Sequence, residues 1–72
     1  MKKYLEYKDH VSNKFWAINL KGPQVNLTYG RIGISNPAKI EKKFKGKNAG
    51  DDAKKFAEKK INEKIRKGYT EA

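Results

Sequence analysis

Leu27-Thr28-Tyr29-Gly30-Arg31-Ile32-Gly33 decides how the rest of this 72-residue chain is read. Val25, Leu27 and Tyr29 share one parity, as the inward face of a half-buried strand requires, whereas Ile32 and Ile34 fall on the other. This change of phase at Gly30-Arg31 predicts a bulge, because a glycine within a strand marks a bulge or a close approach by another backbone or a ligand. A bulge there re-aims a flat aromatic and a guanidinium, a pair suited to a sugar or base face and an adjacent phosphate. The same residues also fit a plain kink followed by a solvated charge, so the surrounding chain has to decide.

Working outward, Trp16, Ile18 and Leu20 alternate with Phe15, Ala17 and Asn19 across residues 14–21, which predicts a strand with Trp16 in the core. Gly22-Pro23 closes that run and Val25 opens the next, giving a tight hairpin into the signature strand. Upstream, residues 2–11 mix Tyr4, Leu5 and Tyr7 with charges and read as a first strand at the sheet edge, followed by a turn at Ser12-Asn13. Downstream, Ser35-Asn36-Pro37 is loop chemistry, and Ile40, Lys42 and Phe44 alternate with Glu41, Lys43 and Lys45 in a basic fourth strand over residues 39–45.

After Gly46-Lys47-Asn48 the period changes. Ala49, Ala53, Phe56, Ala57, Ile61 and Ile65 fall within about half of a helical circumference at roughly 100° per residue. Asp51 and Asp52 at its start and Lys64, Arg66 and Lys67 at its end match the macrodipole, and Gly68 is a stop. Lys60 and Lys64 lie inside the apolar arc, so their stems are expected along apolar surface with the ammonium groups reaching outward. Tyr69-Thr70-Glu71-Ala72 reads as a frayed tail. The fold class is α+β: one domain over residues 1–72, an antiparallel sheet of about four strands packed on one face against a single C-terminal amphipathic helix.

Charge narrows the function. Eighteen Lys and Arg residues against eight Asp and Glu give a net charge of +10, more than solubility asks of a small domain, and point to a polyanionic partner. With no cysteine, a disulfide framework and a thiolate metal site are excluded, and a reducing interior is the natural compartment. Neither a secretory signal nor a membrane span is legible, so a cytoplasmic location is expected, nucleoid-associated if the source is bacterial. His10 has no second ligand for a metal, no third glycine or helix start makes Gly30-Arg31-Ile32-Gly33 a dinucleotide loop, and no nucleophile stands beside a base. No enzyme activity, catalytic residue or cofactor is expected.

Read together, these segments resemble the WGR domain, a small nucleic-acid-associated module named for a Trp-Gly-Arg tripeptide. Asn13-Lys14-Phe15-Trp16 is similar to the family's opening, and Tyr29-Gly30-Arg31-Ile32-Gly33 to its signature, with Tyr29 in place of the naming tryptophan. A basic strand ending at Phe44, a helix carrying Phe56, and Glu63-Lys64 running into Lys67-Gly68-Tyr69 follow in the same order. The resemblance implies an antiparallel sheet with one helix and, by the role of the domain in poly-ADP-ribose polymerases, recognition of DNA strand breaks. It implies that Tyr29 stacks near a nucleotide sugar, that Arg31 supports the contact, and that Lys14 and Lys39 sit near phosphates. A phenol still stacks, with a smaller face and an added hydroxyl.

The expectation is therefore a monomeric, non-enzymatic nucleic-acid-binding module, DNA favoured over RNA, with ends or nicks as targets. Its site comprises Lys14, Tyr29, Gly30, Arg31, Lys39, Lys43 and Lys45, the last three expected to line the same sheet region as Arg31 in a backbone-tracking groove. Lys54, Lys55 and Lys59 on the helix read as solvated. Two other readings stand beside it: docking of an acidic protein partner or neighbouring domain through the same face, and single-stranded RNA on the open sheet face with Phe15 and Tyr7 as stacking platforms.

Overall fold

The alternation along residues 13–21 sets the two faces of a five-stranded antiparallel sheet. The structure, a computed structural model, describes residues 1–71. Its elements are β1 (Lys2–Lys8), β2 (Asn13–Lys21), β3 (Gln24–Arg31), β4 (Ala38–Lys43), the helix α1 (Ala49–Arg66) and β5 (Thr70–Glu71), with the strands ordered β4-β3-β2-β1-β5. Every neighbouring pair is antiparallel. The hairpin turn is the two residues Gly22-Pro23, which fixes Lys21 opposite Gln24 and Trp16 opposite Tyr29.

One face of the sheet is the core. Leu5, Trp16, Ile18, Val25 and Leu27 are buried there against Ala53, Ala57 and Ile61 of the helix, and Leu5 and Val25 are fully sealed from solvent. Two alanines on the contacting stripe of α1 let the helix lie close to the sheet, while Phe56 packs against Phe44 at 5.6 Å between ring centroids. Burying each Leu, Ile or Val is worth about 1.5–3 kcal/mol, and the opposite face, left open, contributes little of this. Lys54, Lys55 and Lys59 are exposed, as their places on the helix require. Among the described residues no helix is long and apolar enough to cross a membrane.

Two expectations are corrected. The first strand is not the edge, because Leu5 and Glu6 pair with Glu71 and Thr70 of β5. The tail is accordingly not frayed as far as Glu71, and Tyr69 is buried in the core; Ala72 lies outside the described residues. The reason is the end of α1. The N–H of Gly68 donates to the carbonyl of Ile65 at 3.0 Å and the N–H of Tyr69 to that of Lys64 at 3.1 Å, the paired bonds of a Schellman turn with Gly68 at φ 101°. That turn reverses the chain and swings Tyr69 back against the sheet, where its ring meets Tyr7 at 5.6 Å.

The bulge is also absent. The β2–β3 ladder runs without interruption through Phe15 opposite Gly30 and Lys14 opposite Arg31, and is extended by the N–H of Ile32 on the carbonyl of Asn13 at 2.9 Å. Ile32 and Ile34 change phase because the strand ends at Arg31 and the chain turns, with the N–H of Ile34 donating to the carbonyl of Arg31 at 3.1 Å.

Candidate nucleic-acid interface

An uninterrupted ladder keeps Tyr29 and Arg31 on the same face as Val25 and Leu27. That face is covered by α1 only as far as the helix reaches, so these last two residues of the inward row emerge from under it. Tyr29 stands across from buried Trp16 yet remains 40% exposed. Arg31 stands across from Lys14, and the two cations share the mouth of a groove of about 470 Å3. Phe15, Trp16, Gly30, Lys64 and Tyr69 are among the residues that line it.

Each lysine of the groove rests on aromatic carbon. The Lys14 ammonium lies 5.1 Å from the centroid of the Tyr7 ring and 5.8 Å from that of Tyr69. Lys64, reaching in from the last turn of α1, lies 5.3 Å from Tyr69 and 6.0 Å from Trp16. Cation–π attraction of this kind holds an ammonium over an apolar surface without neutralising it. Burial holds the Lys64 ammonium below the ordinary lysine value of 10.5, and the positive charges of Lys67, Lys14 and Lys60 push the same way, against Glu63. Among the described residues no carboxylate pairs with Lys14, Arg31 or Lys64; the ion pairs involve other lysines. The helix brings its carbonyl end to this groove, but the Schellman turn consumes the carbonyls of Lys64 and Ile65, so the side-chain cations set the local potential.

Of the residues singled out in the sequence, Lys14, Tyr29, Gly30 and Arg31 come together here. Lys39, Lys43 and Lys45 do not, which corrects the expected convergence with Arg31. Lys39 pairs with Thr28 and Lys43 with Gln24, and both therefore point to the opposite face of the sheet from Tyr29 and Arg31. Lys45 follows the far end of β4, beyond Lys43, where the strand has left the signature end behind. Lys64 and Tyr69 take their place. The signal for Lys64 is its position inside the apolar arc of the helix; Tyr69 has only the glycine before it to announce a reversal into the core. Tyr7 also changes side, since it packs with Tyr69 beside the helix and not on the open face.

Fold and groove together define a small α+β binding module with one aromatic, carboxylate-free basic cleft at the end of its sheet. The chain belongs to the WGR domain family, which it matches over residues 1–72. That family is associated with nucleic-acid binding, and the domain is a binding module. The chain is 37% identical over 73 residues to the uncharacterized protein YfeS of Escherichia coli, covering 99% of this chain and 28% of that protein. It is 35% identical over 65 residues to the protein YehF of the same organism, covering 90% and 22% respectively. A crystal structure of a Bacteroides fragilis protein is similar over 100% of this chain and 19% of its own, with a TM-score of 0.87 and 39% identity. The chain thus spans about a quarter of the length of the curated relatives it matches.

Proposed function

We propose that this chain is a non-enzymatic DNA-binding domain that receives duplex ends or nicks in the groove at the signature end of its sheet. The observation that carries this reading is the convergence of Lys14, Arg31 and Lys64, without a carboxylate partner among the described residues, beside the exposed ring of Tyr29. Three neighbouring cations repel one another unless an anion sits among them, so the arrangement is completed by phosphate. Tyr29 offers a stacking plane that an unbroken duplex, with its bases already stacked, cannot use. An end or a nick can. Selectivity is for structure and not for sequence, because the groove's cations meet phosphates and Tyr29 meets a ring face, and neither contact reads a base edge.

The test compares fluorescence-polarisation binding of a labelled blunt or nicked duplex, against closed circular competitor, for wild type and Tyr29→Ala. Preference for the ended duplex, lost in the variant by about fivefold or more, is the expected result. Equal competition by circular DNA with no effect of Tyr29→Ala would leave a basic surface and no end reader. The greater length of the relatives favours one second reading, in which the groove docks an acidic segment of a neighbouring domain. In that case DNA affinity follows total charge alone and is indifferent to Tyr29.

A further inference from the structure

The face of the sheet away from the helix is uncovered among the described residues, and it carries an aromatic pair. Tyr4 and Phe15 stack there with ring centroids 5.6 Å apart and planes within 15° of parallel. Tyr4 is 41% exposed, and its hydroxyl donates to Glu6 Oε2 at 2.9 Å, which fixes the ring in place. Offset stacking of this kind contributes modestly to stability, but an outward-facing pair leaves ring surface in water that a core would have removed. To a ligand with a flat face it is a preformed layer, already ordered and needing only a further ring.

Charge says which ligand. The carboxylates on this face are occupied: Glu6 by Tyr4 and by Lys8 at 3.4 Å, Glu41 by Lys43 at 3.6 Å. Lys39, on the same face by register with Thr28, has no carboxylate partner among the described residues. An aromatic platform that shares its face with Lys39, two strands along from Phe15, matches a polymer that repeats a π-face and a negative charge at every unit, which is single-stranded nucleic acid. A membrane surface would ask for apolar side chains that insert, and the strand nearest the platform's lysines offers Thr28 and Asn26 instead.

Gly30 connects this face to the groove. It lines the groove and also stands directly across from Phe15 in the ladder. A β-carbon there would lie 3.3 Å from Ile34 Cγ2 and 3.8 Å from Pro37, so the absence of a side chain lets the loop after β3 pack down onto this point, and the way from the groove to the open face runs across that loop, where Ile34 is half-exposed. We infer that the open sheet face binds single-stranded DNA, the strand leaving a duplex end in the groove passing beside Gly30, across the half-exposed Ile34, onto Phe15 and Tyr4. The continuity with the groove rests on the duplex-end reading above; the affinity of the platform for a free single strand does not.

Fluorescence anisotropy with labelled oligo-deoxythymidine tests it, using wild type, Tyr4→Leu, Phe15→Leu and Tyr4→Phe. Leucine keeps apolar bulk on the strand while removing the ring plane, and circular dichroism with a thermal melt verifies that each variant folds. Tyr4→Leu and Phe15→Leu should each weaken binding by about fivefold or more, and Tyr4→Phe, which keeps the stack, should bind as wild type does. A duplex with a single-stranded tail should bind more tightly than its blunt counterpart, and Tyr4→Leu should abolish that gain without altering blunt-end affinity. Binding of the oligonucleotide that neither leucine variant changes reduces the face to diffuse charge and overturns the inference. Tighter binding of oligo-uridine than of oligo-deoxythymidine overturns the assignment to DNA. If Tyr29→Ala leaves blunt-end binding untouched while the leucine variants still lose the single strand, the groove reading alone has failed.

Discussion

Lys14 and Arg31 are direct cross-strand partners in the β2–β3 ladder, two cations side by side with no carboxylate paired to either among the described residues. Like charges so placed cost stability. Lys14 is partly compensated by the rings of Tyr7 and Tyr69, so Arg31 is the member of the pair whose removal isolates the repulsion.

Arg31→Gln is therefore expected to leave the fold intact or stabilise it by about 0.2–1 kcal/mol, read as a shift of the urea midpoint. Duplex affinity should fall at the same time. The logarithm of affinity should also decline less steeply with the logarithm of salt, by about 0.9 in slope if the variant neutralises one phosphate fewer. A destabilised variant with unchanged salt dependence would place Arg31 in the framework and not at a phosphate.

Gly68→Ala should be costly for two separate reasons. The residue holds φ at 101° in the turn that ends the helix, and a β-carbon there would lie 3.0 Å from Cε2 of the Tyr7 ring. The backbone alone accounts for about 1–2 kcal/mol, a fall in melting temperature of roughly 4–16 °C for a domain of this size. Since the same turn delivers Tyr69 to the groove, the substitution should also weaken DNA binding; a melt unchanged from wild type would contradict the described turn.

Stability at low pH should depend on Asp9. One of its carboxylate oxygens accepts the backbone N–H of Val11, at 2.9 Å, and that of Ser12. These bonds hold the carboxyl below its ordinary value of 3.8, against an opposing effect of burial and with the Tyr7 hydroxyl and the Lys14 charge adding to the lowering. A folded-state value below the unfolded one means that the stabilisation is complete above pH 3.8 and disappears as pH falls through the lower folded value. Melting temperature measured from neutral to strongly acid pH should thus fall more steeply for wild type than for Asp9→Asn, whose amide does not titrate. Parallel curves would show that the β1–β2 turn is held by other means.

Much of this architecture can be read from residue order because each long element repeats its period several times. The alternation around Trp16, the Gly22-Pro23 turn, and the apolar arc from Ala49 to Ile65 each over-determine the element they describe, and they yield the helix and the central hairpin directly. β5 has two residues, too few for alternation to register, and its place follows from a turn that depends on Gly68. The face taken by the lysines of β4 is hidden in the sequence for a different reason. Parity tells which residues of one strand share a side, but the relation between strands is set by pairing, and Thr28 opposite Lys39 is visible only once the register is known. Tyr29, Arg31 and Lys14 are legible from their motif; Lys64 joins them through the crossing of the helix over the sheet.

The two margins of the sheet are finished differently. β5 closes one at Leu5 and Glu6, whereas β4 leaves the other with all six of its residues exposed. A bare edge is a template on which a second copy can add its own strand, the first step of edge-to-edge aggregation. Lys39, Lys42 and Lys43 sit on that margin, so two such edges approach with like charge and are driven apart. The lysines of the least buried strand thus oppose edge-to-edge pairing, an effect that weakens as added salt shortens the reach of those charges.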